Sequence, residues 1–172
     1  MTSIAASSRA TISCQAQRAI GHQAITIRAR PSEIWPWLIQ MGCRRAGWYS
    51  YDGLDNGGVP SADRIVPELQ HVDVDDLFAW TPGAYDGFIV KAVEPERVLV
   101  IDGDARSRYR VVWAFVLDPL DESRTRLLTR ASAEYERRSV GVGLHLVGHP
   151  MHFAMQRRQL LNLKRRAEAV AA

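Results

Sequence analysis

The alternation and recurrence of apolar positions divide the chain into elements. Residues 22–28 run His-Gln-Ala-Ile-Thr-Ile-Arg, alternating with β-branched emphasis, which predicts a short half-buried strand ending before Pro31. Ile34, Trp35, Leu38 and Met41 then recur at helical spacing, with Pro31 suited to a first helical position, Arg30 or Ser32 as cap and Gly42 as stop. Pro36 removes one internal hydrogen bond and disfavours helical geometry at Trp35, so this helix is expected to begin late or bend near its start. Residues 43–84 keep no sustained period apart from a short helical turn over 62–69, interrupted by Pro67. From Phe88 the period becomes two. Residues 88–94 and 97–103 flank a Pro95 turn, and residues 108–118 carry Tyr109, Val111, Trp113, Phe115 and Leu117 on one face before a turn into 125–134. Beyond Gly148 and Pro150, Phe153, Leu160, Leu163, Ala167 and Val170 form the apolar stripe of a long amphipathic helix.

A strand, an early helix, four consecutive antiparallel strands and a long C-terminal helix describe an α+β fold in which that helix covers a sheet. The 172 residues, 47% of them hydrophobic, suffice for one sizeable core and are few for two. We therefore expect a flexible N-terminal segment over 1–20 and a single domain over 21–172. The first 30 residues carry no acid, a composition like that of a transit peptide, but they lack an apolar signal core. No apolar run approaches the roughly 20 residues of a membrane span. Cys14 and Cys43 have no paired spacing, so a reducing cytoplasm is the expected compartment.

Charge is unevenly distributed. Residues 50–104 hold twelve acids against three bases, whereas from Phe153 onward Arg157, Arg158, Lys164, Arg165 and Arg166 face Glu168 alone. A basic helix can serve nucleic acid or anionic lipid, but the commoner use is a solvated outer face. Nucleic-acid binding is accordingly not expected.

The stretch 34–70 concentrates candidate chemistry, with Trp35, Trp37 and Trp48 beside glycines and with Asp, Arg, Glu and Gln interleaved. Large aromatics with a few polar groups are the composition of an apolar pocket. The segments Trp35-Pro36-Trp37-Leu38-Ile39-Gln40-Met41-Gly42, Gly47-Trp48-Tyr49-Ser50-Tyr51, 61–70 and 157–168 resemble a bacterial branch of the START, Bet v 1 and polyketide-cyclase (SRPBCC) superfamily whose members are mostly of unassigned function. The resemblance covers about residues 20–170. It implies a helix-grip fold, a curved antiparallel sheet wrapped around the long C-terminal helix, enclosing a cavity for a bulky apolar small molecule. No catalytic residue of a characterised cyclase maps onto this chain, and fold alone does not give function.

Three functions follow as expectations. The first is capture of a lipid-, polyketide- or aromatic-like ligand, with Trp48, Trp80, Trp113, Gln70, Phe115 and Phe153 as lining residues. The second is a cyclase or dehydratase using general acid-base chemistry, with Asp63, Arg64, Glu68, Tyr49 and Tyr51 as candidate catalytic groups. The third is an interaction protein using its basic helix. Asp52, Asp55 and Asn56, ahead of Gly57-Gly58, read as turn or capping residues. His145, His149 and His152 have the i, i+4, i+7 spacing of a metal face, which Gly148 and Pro150 break, so no metal is expected. No cofactor is expected, and the protein is taken to be a monomer or homodimer.

Overall fold

The computed structural model describes residues 18–83, 87–103, 109–135 and 148–171. The expected flexible segment at 1–20 lies almost wholly outside them. Six strands form one antiparallel sheet in the order β1-β6-β5-β4-β3-β2, not closed into a barrel. They are β1 (Arg18–Ile27), β2 (Leu77–Ala79), β3 (Gly87–Glu94), β4 (Val98–Gly103), β5 (Tyr109–Asp121) and β6 (Arg124–Tyr135). β5 alternates as anticipated, with Val111, Trp113, Phe115 and Leu117 buried and the intervening positions half-buried. Trp113 pairs across to Ile101 on β4 and Ala131 on β6, so its ring stands at the centre of the inner face. The first strand begins earlier than alternation suggested, because Arg18 and Ala19 extend the pairing with β6 through a bulge before Gly21.

Helix α1 (Pro31–Ile39) starts at Pro31 and carries Pro36 inside it. The expected late start does not occur. Glu33 Oε2 accepts the Arg30 backbone N–H at 2.7 Å and Oε1 the Arg30 guanidinium at 3.0 Å, which secures the first turn. Burial of Ile34, Trp35, Trp37, Leu38 and Ile39 holds the remainder against the penalty of Pro36. The insertion that follows contains the short helix α2 (Asp52–Asp55), a 3-10 turn (Pro67–Leu69) and β2.

The long C-terminal helix α3 (His149–Val170) packs on β1 and α1. Leu160, Leu163 and Ala167 are buried as its apolar stripe requires, but Phe153 and Val170, assigned to that stripe, are 55% and 62% exposed. Glutamines stand where the stripe continues towards the N-terminal end of the helix. Gln156 and Gln159 are each 1% exposed. Gln156 donates to Thr129 Oγ1 at 2.6 Å and accepts from Gln23 at 3.2 Å, tying α3 to β6 and β1 through hydrogen-bonded polar groups. No helix among the described residues is long and apolar enough to cross a membrane.

Candidate functional site

A cavity of about 290 Å³ opens between the inner face of the sheet, the insertion and the first turns of α3. Trp48, Trp80, Phe88 and Trp113 form its aromatic wall, with Val111 beside them. Met151, His152, Met155, Gln156 and Gln159 line it from α3, and Ser50 and Asp55 from the insertion. The rings are mutually braced: Trp113 stacks on Trp48 at 6.0 Å and 19°, tilts against Phe115 at 4.9 Å, and meets His152 edge-on at 5.6 Å. Trp80 lies 4.3 Å from Phe88, centroid to centroid. The absence of a side chain at Gly103 makes room for it, since a Cβ there would stand 3.0 Å from the Trp80 ring. Trp48 Nε1 donates to the Ala79 and Trp80 carbonyls at 3.2 and 3.1 Å, so its indole is fixed in the wall.

The insertion is held from two sides. Gln40, fully buried at the end of α1, uses all four hydrogen-bonding positions of its amide. Its Nε2 donates to the Tyr49 hydroxyl at 2.7 Å and the Arg64 carbonyl at 3.1 Å, while Oε1 accepts from the Val66 N–H and from Gln70 Nε2, both at 3.0 Å. From α3, Gln159 donates to the Trp48 carbonyl at 3.0 Å, Asn162 to the Tyr49 carbonyl at 2.9 Å and Arg166 to the Ala62 carbonyl at 2.8 Å. Ser50 donates back to the Met155 carbonyl at 3.1 Å. Tyr49, clamped in this way, sits in the left-handed region at φ 56°, a strained setting for a bulky residue.

These contacts separate the sequence candidates. Trp48, Trp80 and Trp113 come together in the cavity. Phe115 supports Trp113 from within the core, Gln70 joins the Gln40 network, and Phe153 points to the surface; none of the three lines the cavity. Tyr49 is buried with its ring edge-on to Trp37 at 6.1 Å and under the Arg166 guanidinium at 4.8 Å. Burial pushes its hydroxyl up to about 12, outside the range of a proton carrier at neutral pH. Tyr51 is 38% exposed beneath Arg158, whose guanidinium lies 4.4 Å from the ring. Asp63, Arg64 and Glu68 are exposed and do not line the cavity; Arg64 serves the fold through its carbonyl. Gln40 holds the main chain of that segment at the Arg64 carbonyl and the Val66 N–H, and its charged side chains face water.

The basic helix is also redistributed. Arg158 covers Tyr51, Arg166 holds the insertion, and Lys164 donates to the Thr26 carbonyl at 2.7 Å, which leaves Arg157 and Arg165 as its exposed charge without such a contact. His145 lies outside the described residues; His152 turns inward against Trp113. Among the described residues no cluster of His, Cys, Asp or Glu could hold a metal ion.

Asp55 is the functional candidate that the turn-like sequence concealed. It ends α2, is 7% exposed and lines the cavity, and neither carboxylate oxygen makes a well-formed hydrogen bond, the Tyr51 and Asp55 backbone and the Ser50 hydroxyl only weakly favouring its charge. Burial, reinforced by the charge of Asp52, pushes its carboxyl up to about 6 from 3.8. Between those values the folded state binds more protons than the unfolded chain, so stability falls as pH rises from about 4 to 6 and stays at the lower level above. Asp55→Asn is expected to stabilise the protein at pH 7 by about 1–3 kcal/mol and to have no effect near pH 3.5. Urea denaturation at the two pH values measures this, and an unchanged midpoint at pH 7 would contradict it.

The arrangement resembles solved structures at low identity. A hypothetical protein from Helicobacter pylori superposes with a TM-score of 0.56 at 14% identity, over 85% of this chain and 86% of that one. The KanY protein superposes with a TM-score of 0.54 at 13% identity, over 90% and 99%. A point mutant of Thalictrum flavum norcoclaurine synthase, in complex with a transition-state analogue, gives 0.52 at 11% identity, over 91% and 97%. No protein-family model and no curated protein matches the chain. These likenesses concern the fold alone, which is consistent with a helix-grip fold of the Bet v 1 type, and carry nothing about activity.

Proposed function

We propose that the protein binds a compact, aromatic or otherwise apolar small molecule in the cavity between sheet and C-terminal helix. The observation that carries the reading is the braced aromatic wall of Trp48, Trp80, Phe88 and Trp113 facing Met151 and Met155 across a space of about 290 Å³. Small-molecule sites are predominantly apolar concavities with a few placed polar groups, of about 300–1,000 Å³. This cavity is at the lower edge of that range. An apolar cavity of about 150 Å³ holds benzene, so the volume suits two or three fused rings better than a long lipid chain. Methionines on the helical side can adapt to ligand shape.

Val111 gives a direct test because it lines the cavity from a regular strand. Val111→Phe is expected to keep the fold and to weaken binding of bicyclic aromatics by at least about tenfold, a change of about 1.4 kcal/mol. Isothermal titration with a panel of mono- to tricyclic aromatics measures it. Equal binding by both proteins, or none by any compound of the panel, would overturn the reading.

A second reading is general acid-base catalysis in the same cavity, as in a cyclase or dehydratase. Asp55 favours it: a carboxyl raised to about 6 in an enclosed site has the proton affinity wanted of a base near neutrality. On this reading Asp55, rather than Tyr49 or the Asp63, Arg64 and Glu68 group, moves the proton. Conversion of a bound ligand that stops in Asp55→Asn while binding persists would support it.

A further inference from the structure

We propose that the cavity selects a cationic aromatic ligand, an arylalkylamine or a protonated nitrogen heterocycle, held by the Asp55 carboxylate among the aromatic ring faces. The inference rests on the cavity being a ligand site and specifies what that ligand must carry. The polar inventory of the walls decides it. Ser50 spends its proton on the Met155 carbonyl, Gln156 donates to Thr129, and the Gln159 amide nitrogen donates to the Trp48 carbonyl. Among the described cavity atoms, Asp55 Oδ1 and Oδ2 and Gln159 Oε1 are acceptors without a hydrogen-bond partner, and the Trp113 indole N–H is a donor without one.

Asp55 and Gln159 are 7% and 1% exposed, so these oxygens are withdrawn from bulk water. A buried carboxylate without a partner is among the most unfavourable polar arrangements in a protein. Among the described residues no Lys or Arg forms an ion pair with it: Arg166 and Lys164 are directed to main-chain carbonyls, and Arg158 covers Tyr51, while His152 stands on the same cavity wall with its ring edge-on to Trp113. A ligand bearing an ammonium or ring N–H⁺ would supply the missing charge and donors. Trp48, Trp80, Phe88 and Trp113 supply the other half, since a cation is attracted to the negative face of an aromatic ring and most strongly to tryptophan. A neutral hydrocarbon would fill the space but leave Asp55 buried and unpaired.

The experiment is calorimetric titration of the whole chain with tryptamine and with tryptophol, which share a bicyclic ring and side-chain length and differ in an ammonium against a hydroxyl. Tryptamine is expected to bind at least about tenfold more tightly, the scale of a charge-assisted hydrogen bond in an enclosed site. Asp55→Asn, nearly the same shape, is expected to abolish that preference, bringing the two affinities to within about twofold of each other. Circular dichroism confirms that the variant is folded. Tryptophol binding as tightly as tryptamine, or a preference that survives in Asp55→Asn, would overturn the cation inference and leave the aromatic-ligand reading standing. Binding of neither compound would overturn both.

Discussion

Replacing Gln40 with leucine is expected to lower the free energy of unfolding by about 3–5 kcal/mol, although the new side chain is similar in size and more apolar. The loss comes from the groups left behind. Gln40 is fully buried, and its amide satisfies the Tyr49 hydroxyl, the Arg64 carbonyl, the Val66 N–H and Gln70. An abandoned buried donor or acceptor costs about 1–3 kcal/mol, and neighbouring losses do not sum in full. Gln40→Glu keeps the shape and the Oε1 acceptor but removes both donors, so it should lie between wild type and leucine at neutral pH. Urea denaturation measures both variants, and limited proteolysis within residues 43–82 reports whether the insertion loosens first. A loss below about 1 kcal/mol for Gln40→Leu would show that Gln40 does not anchor the insertion.

Trp113→Ala should have the other large effect, and on two readouts together. Large aromatic truncations in a core cost about 3–5 kcal/mol. The lower end is expected here because one side of Trp113 already fronts the cavity. Binding of a bicyclic aromatic should fall by more than about tenfold, since Trp48 loses its stacked partner and the wall recedes. Trp113→Phe should recover much of the stability, helped by removal of an indole N–H that is buried without a partner. Chemical denaturation with ligand titration checks both, and unchanged binding in Trp113→Ala would remove that ring from the site.

Much of the fold was legible where periodicity alone decides structure. β5 alternates because one face meets the core, and its pattern survives in the buried set Val111, Trp113, Phe115 and Leu117. Legibility ended where a residue's role depends on what another segment places against it. Gln156, Gln159, Asn162 and Arg166 read as the polar side of α3, yet they face Thr129 and the carbonyls of Trp48, Tyr49 and Ala62. A polar helix face buried against a loop has the same spacing as one facing water. Phe153 failed as a stripe residue for the complementary reason: the cavity takes the turn carrying His152 and Met155.

The candidate site divided along the same line. Tryptophans near glycines pointed to the wall, since Trp48, Trp80 and Trp113 have the area to enclose a ligand. Asp55 was hidden by its neighbours, because Asp followed by Asn-Gly-Gly reads as a turn. A turn it is, ending α2, but one whose carboxylate the fold encloses. Asp63 and Arg64 had the right chemistry and the wrong exposure.

The five tryptophans offer the most direct test of the central claim, because three line the cavity and Trp35 and Trp37 are packed elsewhere on α1. With ¹⁵N-labelled protein, the indole N–H resonances can be assigned by single Trp→Phe variants and followed during titration with indole and 1-naphthol. Saturable shifts in Trp48, Trp80 and Trp113, with Trp35 and Trp37 unmoved, are the expected result. Shifts led by Trp35 and Trp37, or no saturable shift with either compound, would contradict an aromatic-ligand site between the sheet and the C-terminal helix.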